Sequence, residues 1–472
     1  MPRSNRPRSN RSRSTGPSDS RPRSASLSDL RSCSELTNAA SSSPATPDDA
    51  RLSHLVIVGN GMAAHRLIET LAACRHAPRH ITVIGAEPHA AYNRILLSSW
   101  LAGDVEQNGL TLTPPHGAAV TVDQRLGARV ERIDRTRRLV ECDDGEVIPY
   151  DHLVLALGSR SAMPQIPGIT LTGVTGFRDL DDAARLAEAA KAGGAAVVVG
   201  GGLLGLEAAA GLAARGMQVC VLQRSPRLMN RQLDATASAM LASEIEGRGI
   251  RLKTGARLSE IVGDEHGKVI GVRLEDDEHL LPANCVVIAA GITPNAELAR
   301  AAGLDCDRAV VVDDTLATSD PDISALGECC QFEDTTYGLV EPIWHQVEVL
   351  ASRLCGEPTA PYHERACATK LKVSGVSLYA FGPTEAEDGH EVLSYRDQGE
   401  YRRLLLRDGR LEGAVLYGDT RMGPWLFRLA EQGLRLDRVR HSLLLGQADT
   451  EALLADDDAT DTAPSTTAQD AA

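Results

Sequence analysis

The residues best suited to chemistry are those of a turn that follows a short apolar strand, His54–Val58. Gly59 permits a tight turn, Gly61 lets a pyrophosphate approach the backbone, and Ala64 lets the next helix pack against the strand. The amino-terminal end of that helix faces the phosphates, where its dipole favours negative charge. Glu87 follows a second predicted strand, 28 residues past Gly59, and could hold an adenosine ribose hydroxyl. The pattern predicts a dinucleotide site.

The same design recurs in a second turn, after the predicted strand Ala195–Val199. Its three glycines, Gly200, Gly202 and Gly205, stand in the same structural context, and Gly200 lies 141 residues past Gly59. Two such turns, each between a strand and a helix, indicate two nucleotide sites. The alternative is a doubly wound sheet in which the glycines only serve packing.

Three further strand ends carry small residues or a carboxylate. The segments Tyr150–Ser159 and Cys285–Ala290 are predicted to be buried strands that run into small-residue turns, the second at Gly291. The segment Thr318–Glu328 ends in a glycine and a carboxylate, which could accept hydrogen bonds from sugar-alcohol hydroxyls. A single nucleotide domain would not need all three patterns.

In this order the patterns resemble the two-dinucleotide-binding-domain flavoprotein family, over roughly residues 54 to 445. The resemblance implies a first nucleotide domain that binds FAD and an inserted second domain that binds NADH or NADPH. The implied FAD-binding residues are Gly59, Gly61, Ala63, Ala64, Glu87, Arg94, Ala156, Gly158, Gly327 and Glu328. The implied NAD(P)H-binding residues are Gly200, Gly202, Leu203, Gly205, Glu207, Gln223, Arg224 and Gly291. Glu328, which would hold the ribitol, replaces the commoner Asp of the family.

Four segments give a closer resemblance, to the flavoprotein part of assimilatory nitrite and nitrate reductases: Ala91–Ser99, Gly202–Glu207, Met229–Asp234 and Tyr417–Thr420. The resemblance implies that FAD takes hydride from NAD(P)H and passes electrons onward to a metal-containing reductase centre. Long members of that family continue into Cys-rich iron–sulfur and sirohaem segments, whereas this sequence ends in an acidic tail. We therefore expect a separate nitrite or nitrate reductase component as the electron acceptor.

Other acceptors and another class of function stay open at this point. The same flavin core would serve a rubredoxin or ferredoxin reductase, which is the main alternative enzyme. A flavin-bearing interaction or signalling protein is the alternative from a different class.

The sequence also leaves the nicotinamide nucleotide open. The predicted strand Val219–Leu222 leads to Gln223, Arg224 and Arg227, and no acidic residue follows it to bind a ribose 2′-hydroxyl. The two arginines could attract the 2′-phosphate of NADPH, although the resembling family often uses NADH.

No reactive thiol is predicted beside the flavin. In related peroxidases and oxidases a Cys follows the Ser of a Leu-Ser-Cys segment, and this sequence has Leu97-Ser98-Ser99 there. Its ten cysteines are scattered without Cys-x-x-Cys spacing, which predicts neither a disulfide framework nor a metal site. Two catalytic candidates remain: Arg94, which could polarise the flavin, and Glu207, which could orient the nicotinamide carboxamide. The alternatives are a surface cation for Arg94 and a capping or packing role for Glu207.

Composition excludes some classes of partner. The 472 residues carry a net charge of −15 with only 3% aromatic residues, which argues against nucleic acid and against an anionic membrane surface. The apolar stretch Ala195–Ala214 contains Glu207 and a run of glycines, so it reads as strand, turn and helix rather than a membrane span. Without a recognisable signal peptide, we expect a cytoplasmic protein; the oligomeric state, including a homodimer, is left open.

These patterns predict an α/β fold with two doubly wound dinucleotide-binding domains and a small α+β C-terminal interface domain. The NAD(P)H domain is inserted in the FAD domain. The predicted boundaries are 1–53 for a basic disordered tail, 54–165 and 286–360 for the FAD domain, 166–285 for the NAD(P)H domain, 361–445 for the interface domain and 446–472 for an acidic disordered tail. A transit peptide or an over-called start is the alternative for the first segment.

The arginines of the interface domain, at positions 402, 403, 407, 410, 421 and 428, either receive an acidic electron-transfer partner or form a solvated face.

Overall fold

The computed structural model describes residues 52–113, 120–373, 375–451 and 453. In chain order its strands are β1 His54–Val58, β2 His80–Gly85, β3 Thr121–Leu126, β4 Val130–Asp134, β5 Leu139–Cys142, β6 Val147–Pro149, β7 His152–Leu155, β8 Ser159–Ser161, β9 Val174–Thr175, β10 Ala195–Val199, β11 Gln218–Gln223, β12 Arg251–Thr254, β13 Leu258–Gly263, β14 Val269–Leu274, β15 Asp277–Pro282, β16 Cys285–Ile288, β17 Ile292–Pro294, β18 Val310–Val312, β19 Ile323–Ala325, β20 Cys330–Phe332, β21 Thr335–Thr336, β22 Thr369–Val373, β23 Val376–Phe381, β24 Glu391–Asp397, β25 Glu400–Arg407 and β26 Arg410–Tyr417. Its α-helices are α1 Met62–Ala73, α2 Leu97–Ala102, α3 Leu180–Ala192, α4 Leu203–Ala214, α5 Ala235–Gly247, α6 Glu297–Ala301, α7 Val340–Leu354 and α8 Gly423–Gln432.

Five parallel strands form the first sheet, in the order β19-β7-β1-β2-β3. In its centre Val56 of β1 pairs with Thr82 of β2 and with Leu153 of β7. The apolar run Leu55–Val58 suits a parallel strand that is covered on both faces, and it is buried. Helices α1 and α7 contribute to the same core. The carboxyl ends of β1, β7 and β19 therefore meet at one edge of this sheet.

A second parallel sheet repeats the design, in the order β12-β11-β10-β16-β9. Val198 of β10 pairs with Val221 of β11 and with Val287 of β16. The apolar stretch Ala195–Ala214 divides into β10, a turn and α4, as the glycines predict. Within the described ranges, no helix has both the length and the apolar character that crossing a membrane requires.

Smaller sheets connect and extend these two. Strands β8 and β17 pair antiparallel, with Ser159 opposite Pro294, and together they link the first sheet to the second. Three-stranded sheets are formed by β4-β5-β6, by β13-β14-β15 and by β18-β20-β21.

The C-terminal part is an antiparallel sheet in the order β22-β23-β26-β25-β24, followed by α8. Alternating side chains divide between two cores, as a sheet covered on both faces requires. Leu404 and Leu406 pack with Trp425 of α8, whereas Tyr401 and Val415 join a core that contains the second sheet and α4. The C-terminal sheet therefore rests directly on the second parallel sheet and its helices.

The predicted fold class is confirmed: two doubly wound units carry a small α+β C-terminal unit. Three predicted boundaries differ from the structure. Strand β16 pairs with β10, so the second sheet extends to Ile288 rather than ending at residue 285. Tyr362 packs in the core of the first sheet, which moves the start of the C-terminal unit towards Thr369. Residues 447–451 are helical and bury Thr450, so the acidic tail is ordered at its beginning; residues 1–51, 452 and 454–472 lie outside the described part.

Candidate functional site

The first glycine turn is built around two different constraints. Gly59 has φ +111°, and a Cβ added there would lie 2.1 Å from the carbonyl oxygen of Ala156 at the end of β7. Its amide donates to the Ile84 carbonyl at 2.8 Å, which fixes the turn between two strands. At Gly61 the space is open, because no atom lies within 4 Å of the corresponding Cβ position. A cradle that a side chain would fill therefore lies before the amino-terminal end of α1, which begins at Met62.

Asn60, between those glycines, gives a second indication of a ligand. Its side-chain nitrogen is buried and has no hydrogen-bond partner among the described residues. Gly85 makes room for this side chain, since a Cβ on Gly85 would lie 2.8 Å from the Asn60 Cβ. Buried polar groups are normally hydrogen-bonded, so this donor fits a polar ligand at the turn. The residues present fit the phosphates and sugar of a dinucleotide such as FAD.

The predicted ribitol residue, Glu328, lies at the same edge of the first sheet. It stands in a 3₁₀ turn after β19, and the Ser159 hydroxyl donates to it at 2.9 Å. The neighbouring Gly327 approaches the start of α1, where the Ala63 Cβ lies 3.5 Å from the position of a glycine Cβ. Gly158 has φ +62° and faces the same carboxylate. The structure thus brings together Ala63, Gly158 and Glu328 as predicted from the sequence.

Sequence reasoning missed Arg178, which forms an ion pair with Glu328. Arg178 precedes α3 and is 150 residues from its partner along the chain, so no local pattern links the two. Its side chain is only 23% exposed. Burial, together with the nearby charge of Arg94, lowers the pKa of the Arg178 guanidinium to about 10. The Glu328 carboxylate offsets the charge of this mostly buried cation.

Glu87 and Arg94 form an ion pair in the structure. The Arg94 guanidinium pairs with one oxygen of Glu87, and the Tyr92 hydroxyl donates to the other at 2.7 Å. Arg94 also donates to the Arg178 carbonyl at 3.2 Å and lies over the Tyr92 ring. Arg94 is therefore a bonded side chain at the start of a short 3₁₀ helix, 28% exposed, and its role at the flavin stays a prediction beside the alternative of a surface cation. The ribose role of Glu87 stays a prediction.

The second turn has the same construction. Gly200 has φ +125°, and its Cβ would lie 2.2 Å from the Ala289 carbonyl oxygen after β16. Gly202 again faces open space before α4, which begins at Leu203. A Cβ on Gly205 would lie 2.0 Å from the Gly200 carbonyl oxygen, so this helix needs glycine at its third position.

The side chain of Gln223, at the end of β11, is hydrogen-bonded to this turn. Its Oε1 accepts a hydrogen bond from the Gly201 amide at 3.0 Å. Arg224 is exposed, and Gly291 after β16 has φ +128° with open space around its Cβ position. The predicted NAD(P)H residues thus lie around one turn at the carboxyl edge of the second sheet.

Glu207 lies on α4, the helix that begins at the second turn. Helix α4 packs against α2, and Gly211 allows this because a Cβ there would lie 2.9 Å from Leu101. Burial raises the pKa of Glu207 from 4.5 to about 7, and the Ser98 hydroxyl of α2 opposes part of that shift. The Glu207 carboxyl is therefore partly protonated near neutral pH.

Two adjacent cysteines lie in the core of the protein. The nine described cysteines are unpaired, and the adjacent Cys329 and Cys330 are both fully buried. Burial raises the pKa of Cys329 to about 11, so its thiolate is scarce at neutral pH. The helix α2 carries Ser98 and Ser99, as the sequence shows. Over the described residues, no group of three or more His, Cys, Asp or Glu side chains could hold a metal ion.

Four of the six C-terminal arginines are bonded within the protein. Arg407 donates to Glu412 at 3.1 Å, and Arg421 pairs with Asp419 at 2.7 Å. Arg402 lies 3.7 Å from Asp419, and Arg403 lies 3.9 Å from the buried carboxylate of Asp234. This pattern favours internal pairing over a basic face that is free to receive a partner.

Comparison with known proteins connects this geometry to a family. Residues 53–347 match the family model described as pyridine nucleotide-disulphide oxidoreductase. The chain belongs to this family. Residues 368–434 also match the rubredoxin NAD+ reductase C-terminal domain. The pyridine nucleotide-disulphide oxidoreductase fold accounts for both glycine turns, with FAD and NAD(P)H as the cofactors.

Known proteins similar to this chain include two curated relatives and one crystal structure. A nitrite reductase [NAD(P)H] of Bacillus subtilis is 39% identical over 84% of this chain and 49% of the relative. An assimilatory nitrate reductase electron transfer subunit of the same organism is 37% identical over 78% of this chain and 48% of the relative. The chain thus spans about half the length of these two curated relatives. The crystal structure of a ferredoxin reductase from Rhodopseudomonas palustris is 31% identical, with TM-score 0.69, over 78% of this chain and 91% of that chain.

Proposed function

We propose that this oxidoreductase transfers electrons from NAD(P)H through FAD to a separate nitrite or nitrate reductase component. The observation that carries the proposal is the 37% identity to a nitrate reductase electron transfer subunit, together with the 39% identity to a nitrite reductase. A cytoplasmic location belongs to the same proposal, because NAD(P)H is supplied there.

The first turn is proposed to hold FAD. Gly61 leaves the space for the pyrophosphate, the amino-terminal end of α1 supplies positive potential, and Asn60 supplies a free donor. Glu328, held by Ser159, is placed to accept hydrogen bonds from ribitol hydroxyls. FAD, when bound, accepts a two-electron hydride and can release electrons singly.

The second turn is proposed to hold NAD(P)H, with Gly202 and the start of α4 at its pyrophosphate. Glu207 lies on the helix that begins at this turn, and it is proposed to orient the nicotinamide end of the nucleotide. With Ser98 and Ser99 in the place of a reactive thiol, no covalent step on this chain is needed. The residues of the two turns would position the two nucleotides, and FAD, when bound, would supply the electron transfer to the acceptor.

A rubredoxin or ferredoxin reductase is the second candidate. The match of residues 368–434 to the rubredoxin NAD+ reductase C-terminal domain supports it, as does the 31% identity over 91% of a ferredoxin reductase. Both candidates use the same two nucleotide sites and differ only in the acceptor.

The test measures anaerobic NAD(P)H oxidation by the purified holoenzyme with one acceptor at a time. Ferricyanide should be reduced rapidly, and nitrite alone should not be reduced. Adding the catalytic nitrite or nitrate reductase component should produce nitrite- or nitrate-dependent NAD(P)H oxidation, which falls with salt if the contact is electrostatic. Reduction of a rubredoxin or ferredoxin but of neither nitrogen-oxide reductase would promote the second candidate.

A matched variant tests whether electrons leave without help from residue 99. Ser99→Ala should keep the ferricyanide rate of the wild-type protein, since no bond to that side chain is part of the proposed route. A loss of most of that rate in the variant would contradict direct exit from the flavin.

A further inference from the structure

The loop that follows β11 folds back over the second glycine turn. The Met229 amide donates to the Gly201 carbonyl at 2.9 Å, and the Gly201 amide donates to Gln223 at 3.0 Å. The Leu228 side chain fills the place where a Cβ on Gly201 would lie, at 2.6 Å. In a dinucleotide-binding domain the end of this strand meets the adenosine ribose. The loop 223–229 therefore borders the end of the nucleotide at which NADH and NADPH differ.

This loop carries two cations and no acid, but the cations are not equivalent. Arg224 is exposed. Arg227 is 30% exposed and forms an ion pair with Glu385. The Arg227 carbonyl also accepts from Gln223 at 3.4 Å, which ties this residue to the turn. Glu385 comes from the C-terminal unit, in the segment between β23 and β24.

We propose that Glu385 is a specificity-determining residue, which weakens the binding of 2′-phosphorylated nucleotides by neutralising Arg227. A 2′-phosphate is best recognised by an arginine that can form two charge-assisted hydrogen bonds. While Arg227 is paired with Glu385, that carboxylate offsets its charge and repels a nearby phosphate. The C-terminal unit thus shifts the preference of the NAD(P)H site towards NADH. This inference concerns the nucleotide and is independent of the electron acceptor.

The test measures equilibrium binding to the FAD-loaded protein by calorimetry, with adenosine 2′,5′-bisphosphate and 5′-AMP as probes. Glu385→Gln should bind the bisphosphate about fivefold more tightly, the upper range for a surface ion pair, and should leave 5′-AMP unchanged. The same substitution in an Arg227→Ala background should give no gain, because the cation that it releases is absent. The ratio of flavin bleaching rates with NADPH and NADH should rise in parallel with the bisphosphate affinity.

Glu387→Gln is the matched control. Glu387 lies two residues further on and is 71% exposed, and it pairs with Arg407 at 3.3 Å within the C-terminal unit. The control makes the same change in net charge without releasing Arg227, so it should leave both probes unchanged. An unchanged bisphosphate affinity in Glu385→Gln would overturn the proposal. An equal gain in Glu387→Gln, or a gain that persists with Arg227→Ala, would overturn it too, since either would assign the effect to general charge.

Discussion

The two glycine turns share their first and second positions and differ at the third. Gly59 and Gly200 each press against a backbone carbonyl, and Gly61 and Gly202 each leave open space before a helix. At the third position the first turn carries Ala64, whose methyl group is fully buried, whereas the second requires glycine. The first two glycines therefore have separable tasks, one set by the fold and one by the ligand. The residue at the third position depends only on how closely each helix approaches its strand.

The turns also differ where the second strand of each sheet ends. After β2 stands Glu87, which is bonded to Arg94 and Tyr92. After β11 stands Gln223, which is bonded to the backbone of its own turn. An acid at this position selects for a free ribose hydroxyl, and an amide does not. Selection between NADH and NADPH at the second site must therefore come from other groups. The candidates are Arg224, Arg227 and Glu385.

The largest expected effect separates the two glycines of one turn. Gly200→Ala should lower the free energy of unfolding by about 3 kcal/mol or more, because its Cβ would strike a backbone carbonyl at a positive φ. Gly202→Ala, which meets open space, should change it by less than about 1 kcal/mol. Urea unfolding followed by circular dichroism measures both. Equal losses would show that the two positions do not have separate tasks.

The next largest expected effect is on FAD binding and leaves folding intact. Gly61→Val should leave the protein folded but lower the ratio of flavin to protein at least about tenfold, since the side chain would occupy the proposed pyrophosphate space. Gly247→Val is the control, because Gly247 also faces open space but lies at the exposed end of α5. Absorbance of the purified proteins gives the ratio. A Gly61→Val protein with full flavin content would remove FAD from this turn.

The smallest expected effect is a pH dependence of the unfolding free energy, caused by Glu207 on α4. The pKa of Glu207 is raised on folding, so its proton is held more tightly in the folded state. Its stabilising contribution is complete below about pH 4.5 and is lost as the pH rises through about 7. The difference in unfolding free energy between wild type and Glu207→Gln should therefore fall by about 1–3 kcal/mol across that range.

Glu188→Gln is the matched control for the loss of one carboxyl. Glu188 is 70% exposed on α3 and pairs with Lys191 on the neighbouring turn of its own helix. The Glu207→Gln difference should change with pH more than the Glu188→Gln difference does. Equal profiles for the two variants would mean that the Glu207 carboxyl is solvated rather than buried.

Local patterns in the sequence predicted much of this site. The strand and helix at each turn follow from apolar runs punctuated by glycine, and β1, α1, β10 and α4 begin and end near the predicted residues. The family resemblance implied that Gly158 and Glu328 lie near Gly59, and the meeting of the carboxyl ends of parallel strands at one edge agrees with that placement.

What the sequence could not predict depends on contacts between distant segments. The pairs Arg178 with Glu328 and Arg227 with Glu385 join residues separated by 150 and 158 positions. No periodicity or motif encodes such a pair, because it depends on how separate units pack. The sheet boundary was misplaced for a related reason. The strand β16 has the same apolar character as strands of the first sheet, and its pairing with β10 and β9 assigns it to the second.

Anaerobic stopped-flow mixing of Gly202→Val with NADH or NADPH tests most directly whether the two turns serve two different nucleotides. The account predicts a normal flavin spectrum at the wild-type ratio of flavin to protein, with bleaching slowed at least about a hundredfold. Loss of flavin in parallel with bleaching, or bleaching at the wild-type rate, would contradict it.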